Sequence, residues 1–282
     1  RQLAGLPRYI ATVETAKHRV FQFLDQSILP DNMVIAVALS DAFHLGVLSS
    51  RIHQLWALRA GGWLGIGNDP RYSKSRCFDP FPFPDATESQ KQAIRELAEA
   101  LDALRKQVLA AHPGLTLTGL YNVHDKIRAS LSLTPGEERV RDRGLVLILG
   151  EHHDAINAAV AAAYGWPADA GAEDVLSHLL ALNRERWSEE ARGTVGWLRP
   201  DYQRPRFGEG GGMGEQVEAA ELLSLPTAAA GRPVFPTQPV ERVAAVLAVL
   251  AKGGAPLDAE AIAMQFRQGL KVRPAIRAVL VS

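Results

Sequence analysis

Residues 36–84 read AVALSDAFHLGVLSSRIHQLWALRAGGWLGIGNDPRYSKSRCFDPFPFP. An apolar run ends at Ser40, whose hydroxyl can accept from the free amides of a first helical turn. Val47, Leu48, Ile52, Leu55 and Trp56 then recur at helical spacing until Gly61-Gly62 supplies a stop, which predicts a helix over residues 41–60. Beyond that stop the chain turns to glycine and cations: Gly65, Gly67, Asn68, Arg71, Tyr72, Lys74 and Arg76. Phe81-Pro82-Phe83-Pro84 forbids helix and fixes an extended exit. A packed helix that delivers an irregular loop with cations and an aromatic side chain suits the reading of nucleic acid.

Upstream, residues 9–13 and 18–24 are rich in β-branched and aromatic residues and read as two strands joined at Thr15-Ala16-Lys17. Residues 33–39 are a continuous apolar run of strand length. Residues 1–86 are thus expected to form a small α+β unit. Lys17, His18 and Arg19 fall at its hairpin turn, where side chains project.

Thr87 opens a different regime. Thr87-Glu88-Ser89-Gln90 is a capping-box pattern, and Ile94, Leu97, Leu101, Leu104 and Val108 keep helical spacing to His112-Pro113-Gly114. Further helices are expected over residues 121–129, 135–164 and 172–192, so residues 87–202 read as a helical spacer domain. Residues 203–238, with Gly210-Gly211-Gly212 and scattered prolines, read as a linker. Residues 239–282 suggest three short helices, a truncated helix-turn-helix or winged-helix-like tail. The overall fold class expected is α+β.

The chain's 31 Lys and Arg balance 31 Asp and Glu, which argues against an indiscriminate phosphate clamp. The distribution is uneven: residues 1–84 hold nine cations against six carboxylates, and residues 151–236 hold seven against thirteen. One cysteine, Cys77, excludes an internal disulfide and a cysteine-based zinc cage and suits the cytoplasm. The sequence has no apolar run long enough to span a membrane. The start at Arg1-Gln2-Leu3 reads as that of a fragment.

Several chemistries lack support. Asp79-Pro80-Phe81-Pro82 separates the prolines that an adenine methyltransferase needs together, and Gly65-Ile66-Gly67 lacks the third glycine of a dinucleotide fingerprint. His152-His153-Asp154 places adjacent imidazoles about 100° apart on a helix, unsuited to one ion. Trp166, Trp187 and Trp197 read as helix-packing anchors. No catalytic, cofactor or metal residue is assigned.

A resemblance runs through these pieces. Arg8-Tyr9-Ile10-Ala11-Thr12 with Lys17-His18-Arg19, then Gly46-Val47-Leu48-Ser49-Ser50, Gly61-Gly62, Arg71-Tyr72 and the Phe-Pro-Phe-Pro exit resemble the target-recognition domain of MmeI-like restriction-modification enzymes, which are fused adenine-specific DNA methyltransferases. Asn183-Arg184-Glu185-Arg186 and Trp197-Leu198-Arg199-Pro200-Asp201-Tyr202 resemble that family's C-terminal helical region. The resemblance implies double-stranded DNA as partner, together with a methyltransferase domain of the same polypeptide. It implies S-adenosylmethionine, and magnesium where DNA is cleaved, as cofactors of the parent protein but not of this part. DNA contacts are expected from Lys17, His18, Arg19, Asn68, Arg71, Tyr72, Lys74 and Arg76. The family's base-choosing positions align with Gly65 and Gly67, which carry no side chain. The competing expectation is a helical protein-interaction scaffold that never touches DNA.

Overall fold

The computed structural model describes residues 3–64 and 69–207, with scattered positions between 235 and 279. Two compact units result, one holding residues 3–207 and the other the described positions from 235 onward.

The first unit begins with a three-stranded antiparallel sheet of order β2-β1-β3, formed by β1 (Arg8–Val13), β2 (Gln22–Asp25) and β3 (Val34–Val37). Ile10 pairs with Phe23 on one side and Val37 on the other, so apolar residues align across the sheet. Both outer strands are shorter than their apolar runs predict.

The expected helix over 41–60 is two helices, α1 (Ala42–Ser49) and α2 (Arg51–Ala60). Ser50 makes the break: its hydroxyl donates to the Val47 carbonyl at 2.7 Å and accepts from the His53 amide. The cap of α1 is Asp41 rather than Ser40. Asp41 accepts from the Phe43 amide at 2.9 Å and is held by the Arg95 guanidinium at 2.8 and 2.9 Å. Gly46 lies where α1 crosses α3 (Glu88–Ala111), and a Cβ there would stand 2.5 Å from Ile94 Cγ2.

Gly61 ends α2, as its place in the sequence predicts. A second, two-stranded sheet follows, β4 (Gly62–Leu64) with β5 (Asp69–Arg71), then a π-helical turn over Lys74–Phe78. The Phe-Pro-Phe-Pro run is extended, and helices supply donors for its carbonyls. Asn183 donates to Pro80 at 2.5 Å and Tyr164 to Pro82 at 2.7 Å. Phe81 is buried edge-on to His53, 4.4 Å between ring centres.

The capping box at Thr87 and Gln90 forms as expected and starts α3. Then come α4 (Leu117–Arg128), α5 (Pro135–Arg143), α6 (Val146–Tyr164) and α7 (Ala172–Ala191). The single helix expected over 135–164 breaks at Gly144-Leu145, where Leu145 is left-handed at φ 48°. α8 (Pro200–Phe207) occupies the first five residues of the expected linker, 203–207. Residues 208–234 lie outside the described residues.

Phe43, Val47, Ile52 and Trp56 of α1 and α2 share one core with Ile94, Leu101, Leu149, Ile156 and Leu179 of the later helices. A second cluster beneath the sheet includes Ile10, Phe21, Phe23 and Leu48, together with Ala98 of α3. The chain is α+β as expected, but its apolar core runs across residue 86. In the second unit, Phe235 packs edge-on to Phe266, and Ile262, Ala263 and Ile276 are buried with them. The expected winged-helix-like tail falls largely outside the described residues. Among the described residues no helix is long and apolar enough to cross a membrane.

Candidate nucleic-acid interface

The two segments expected to approach DNA are joined backbone to backbone. Thr15 bridges Arg71, the Tyr72 amide donates to the Glu14 carbonyl at 2.7 Å, and the Ala16 amide donates to the Pro70 carbonyl at 3.4 Å. The residues just after β1 thereby extend the β4–β5 hairpin into a third antiparallel line.

Arg19 makes that junction rigid. Its guanidinium donates to Thr12 Oγ1 at 3.2 Å, to the carbonyls of Val13 and Glu14, and to the Pro70 carbonyl at 2.9 Å. It also lies over the Tyr72 ring at 5.1 Å. Tyr72 is 1% exposed, bonds His53 Nε2 at 3.0 Å and packs edge-on to Phe21. Expected as DNA contacts, Arg19 and Tyr72 are instead the strut and the floor of the loop. Burial, then the nearby Arg19 charge, holds the His53 imidazole down at about 3, so it remains neutral. Burial also raises the Tyr72 phenol and the Cys77 thiol, which keeps both protonated.

The hairpin tip docks on α4. Lys17 Nζ donates to Asn122 Oδ1 at 2.6 Å, and His18 Nε2 lies 2.9 Å from the same oxygen. His18 Nδ1 is 3.4 Å from Asp125. His18 is thus occupied by the helix, whereas Lys17 is exposed and paired only with a neutral amide. Arg71 pairs with Glu14, and Lys74 with Asp79 at 2.6 Å. Arg76 is exposed and has no ion pair among the described residues. Asn68, Gly65 and Gly67 lie outside the described residues.

Sequence reasoning passed over Trp63. It is 55% exposed, while Trp56, seven residues earlier, is fully buried. Trp63 pairs with Pro70 across the β4–β5 hairpin. The available signal was its place directly after the Gly61-Gly62 helix stop, where the helical stripe no longer applies.

Behind the junction is a polar network that no local pattern reveals. Asp102 and Arg105 of α3 are buried; Asp102 accepts from the Phe23 amide at 3.1 Å and Arg105 donates to the Phe21 carbonyl at 2.9 Å. Arg105 also reaches the Tyr121 hydroxyl, which lies 2.7 Å from His153 Nε2. Burial, reinforced by the Arg105 charge, lowers the His153 pKa well below its ordinary value. His124 packs 5.8 Å from the His153 ring and is lowered by burial as well. Among the described residues no His, Cys, Asp and Glu cluster has a geometry for a metal ion. Trp166 stacks on Tyr164 at 4.4 Å as an anchor, but Trp187 is 56% exposed and is not one.

Residues 7–85 match the family model described as MmeI, target recognition domain. Over 92 residues the chain is 34% identical to DNA methyltransferase A of Bacillus subtilis (strain 168), which covers 32% of this chain and 10% of that protein. The solved structure of the type IIL restriction-modification enzyme MmeI in complex with DNA aligns at a TM-score of 0.49 and 23% identity, over 64% of this chain and 21% of that one. The chain thus spans about a tenth of the length of its curated relative. The matched residues 7–85 take in both sheets, α1, α2 and the proline-rich exit, and are an MmeI-like target-recognition region.

Proposed function

We propose that this chain is the DNA-sequence-recognition part of a fused, S-adenosylmethionine-dependent DNA adenine-N6 methyltransferase of the restriction-modification type. Residues 7–85 read duplex DNA, and the helices from α3 onward hold that reader in place. The observation that carries the reading is the junction of residues 13–19 with 69–76 inside the segment matched to a target recognition domain. That junction exposes Lys17, Arg71, Lys74 and Arg76 on a frame fixed by half-buried Arg19 and buried Tyr72.

The contacts divide by chemistry. Lys17 and Lys74 are flexible point charges suited to phosphate oxygens, which fix position without reading sequence. Arg76 presents a planar fork of donors of the kind that reads a guanine edge. Arg71 and Lys74 exchange Glu14 and Asp79 for phosphates, so part of their Coulomb gain replaces an existing pair. The methyl donor, the catalytic turn and, for cleavage, magnesium belong to the methyltransferase domain of the same polypeptide, acting on cytoplasmic DNA. This part performs no methyl transfer by itself.

The test is fluorescence anisotropy of the chain on duplex DNA over a salt series. Each phosphate neutralised contributes about 0.9 to the slope of log affinity against log salt. Lys74→Ala should weaken binding to all duplexes alike and flatten the slope by about 0.9. Arg76→Ala should narrow the gap between cognate and scrambled duplexes, by about tenfold or more if it holds a guanine edge. Unchanged affinity, slope and preference in both variants would refute the interface and favour a protein scaffold.

A further inference from the structure

We propose that Trp63 is a DNA-contacting residue whose exposed indole packs in a groove of the duplex, against sugar faces and base edges. The inference rests on the reading of residues 7–85 as a DNA-recognition region and adds an apolar contact to its cationic ones.

Three observations lead there. The first is the exposure itself: Trp63 stands 55% exposed in a segment whose neighbouring large side chains, Trp56 and Tyr72, are almost completely buried. Trp63 therefore contributes little to the core.

The second is rigidity. Trp63 lies opposite Pro70, and the Pro70 carbonyl takes hydrogen bonds from both the Arg19 guanidinium and the Ala16 amide. Pro70, opposite the indole, is thus tied to the segment that follows β1 by Arg19 and Ala16, 51 and 54 positions away from it in sequence. An aromatic ring has few torsions to lose, and one on a fixed hairpin loses little entropy on contact.

The third is the setting. Across the hairpin Gly62 pairs with Arg71, and Lys17 follows the Ala16 that bonds Pro70. Alternation along the strands sets Arg71, opposite Gly62, on the face of this small sheet away from Trp63 and Pro70, so the sheet carries an apolar side and a cationic side, and the Arg71 charge is available once a phosphate displaces Glu14. A thin ribbon with an apolar side and a cationic side complements a groove, whose walls are phosphates and whose floor is base edges and sugars. An apolar protein partner would not call for that cationic side.

Anisotropy on duplex DNA with the 282-residue chain, its Trp63→Ala variant and its Trp63→Phe variant tests the proposal. Trp63→Ala should lower affinity by about tenfold, the order expected for loss of an aromatic contact to nucleic acid. The salt slope should stay as in the wild type because no phosphate is uncovered. Trp63→Phe should retain most of the binding, and thermal unfolding should not shift. In chain labelled with fluorotryptophan, the fluorine resonance missing from Trp63→Phe should move on titration with duplex. That readout needs no destabilising substitution. Wild-type affinity in Trp63→Ala with a stationary Trp63 resonance overturns the proposal and leaves the DNA-recognition reading standing. A slope flattened by about one in Trp63→Ala also overturns it, since the indole would then be positioning a cation. Failure of the wild-type chain to bind any duplex overturns both readings.

Discussion

Replacing Asp102 by Ala should destabilise the whole sheet-bearing unit, although Asp102 lies on α3, outside the segment matched to a target recognition domain. β2 is an edge strand, and edge strands present unpaired backbone groups. Here the edge is buried: Phe21 is 0% exposed and Phe23 2%. Asp102 and Arg105, three residues apart on one helix face, act as a stand-in for a fourth strand. One accepts from the Phe23 amide and the other donates to the Phe21 carbonyl.

The magnitude follows from those partners. A hydrogen bond to a charged group contributes about 1.5–3 kcal/mol, and a buried donor left without an acceptor costs about 1–3 kcal/mol. These overlap, so Asp102→Ala should cost about 3 kcal/mol. The Lys106 pair adds little, since the Lys106 side chain is 53% exposed. Asp102→Asn keeps an oxygen acceptor and should cost about 1 kcal/mol. For a unit of this size the Ala variant's melting point should fall by roughly 6–12 °C. Urea unfolding followed by the fluorescence of buried Trp56 gives the free energies, and amide exchange at Phe23 locates the effect. Equal, small losses in Ala and Asn, with the Phe23 amide exchanging as fast in wild type, would refute the edge-closing role.

Two further outcomes are expected. Gly46→Ala should cost about 1–3 kcal/mol in urea unfolding, because its Cβ would stand 2.5 Å from Ile94 Cγ2 at the α1–α3 crossing; an unchanged midpoint would mean that α3 yields freely. Stability should also fall with acid: burial holds His53 at about 3 and His44 at about 4 when folded, against 6.5 ordinarily, so the unfolded chain takes up these protons first. This contribution is complete above about pH 6.5 and is lost as pH falls toward the folded values, about 2–3 kcal/mol per imidazole at pH 4.5. Equal urea midpoints at pH 7.5 and 4.5 would contradict it.

What the sequence made legible was local. The Thr87 capping box, the Gly61 stop and the extended proline run each depend on a few adjacent residues, and each forms. The break at Ser50 was hidden because the apolar stripe of 47, 48, 52 and 56 continues across it. Ser40 and Asp41 are both good caps. The choice between them is settled by Arg95, 54 residues away. At the candidate site residues 17–19 and 68–76 were legible as two separate cationic segments, but neither their backbone pairing nor which side chains face outward was. Arg19 reads as a projecting cation until the carbonyls of Val13, Glu14 and Pro70 surround it.

That surrounding explains how one loop can be both rigid and open to substitution. From Arg71 to Cys77 buried and exposed positions interleave: Tyr72 and Cys77 face the core, while Arg71, Lys74 and Arg76 face solvent. The frame is fixed by inward groups, namely Tyr72 on His53, the Ser73 amide on Cys77 Sγ, and Arg19 on Pro70. None of these contacts uses the outward side chains. Exposed side chains away from core contacts can usually change at little cost in stability. The outward residues can therefore change without moving the backbone that presents them. The helices behind it serve the same end, since Asn122 holds the hairpin tip and buried Asp102 and Arg105 hold the β2 edge.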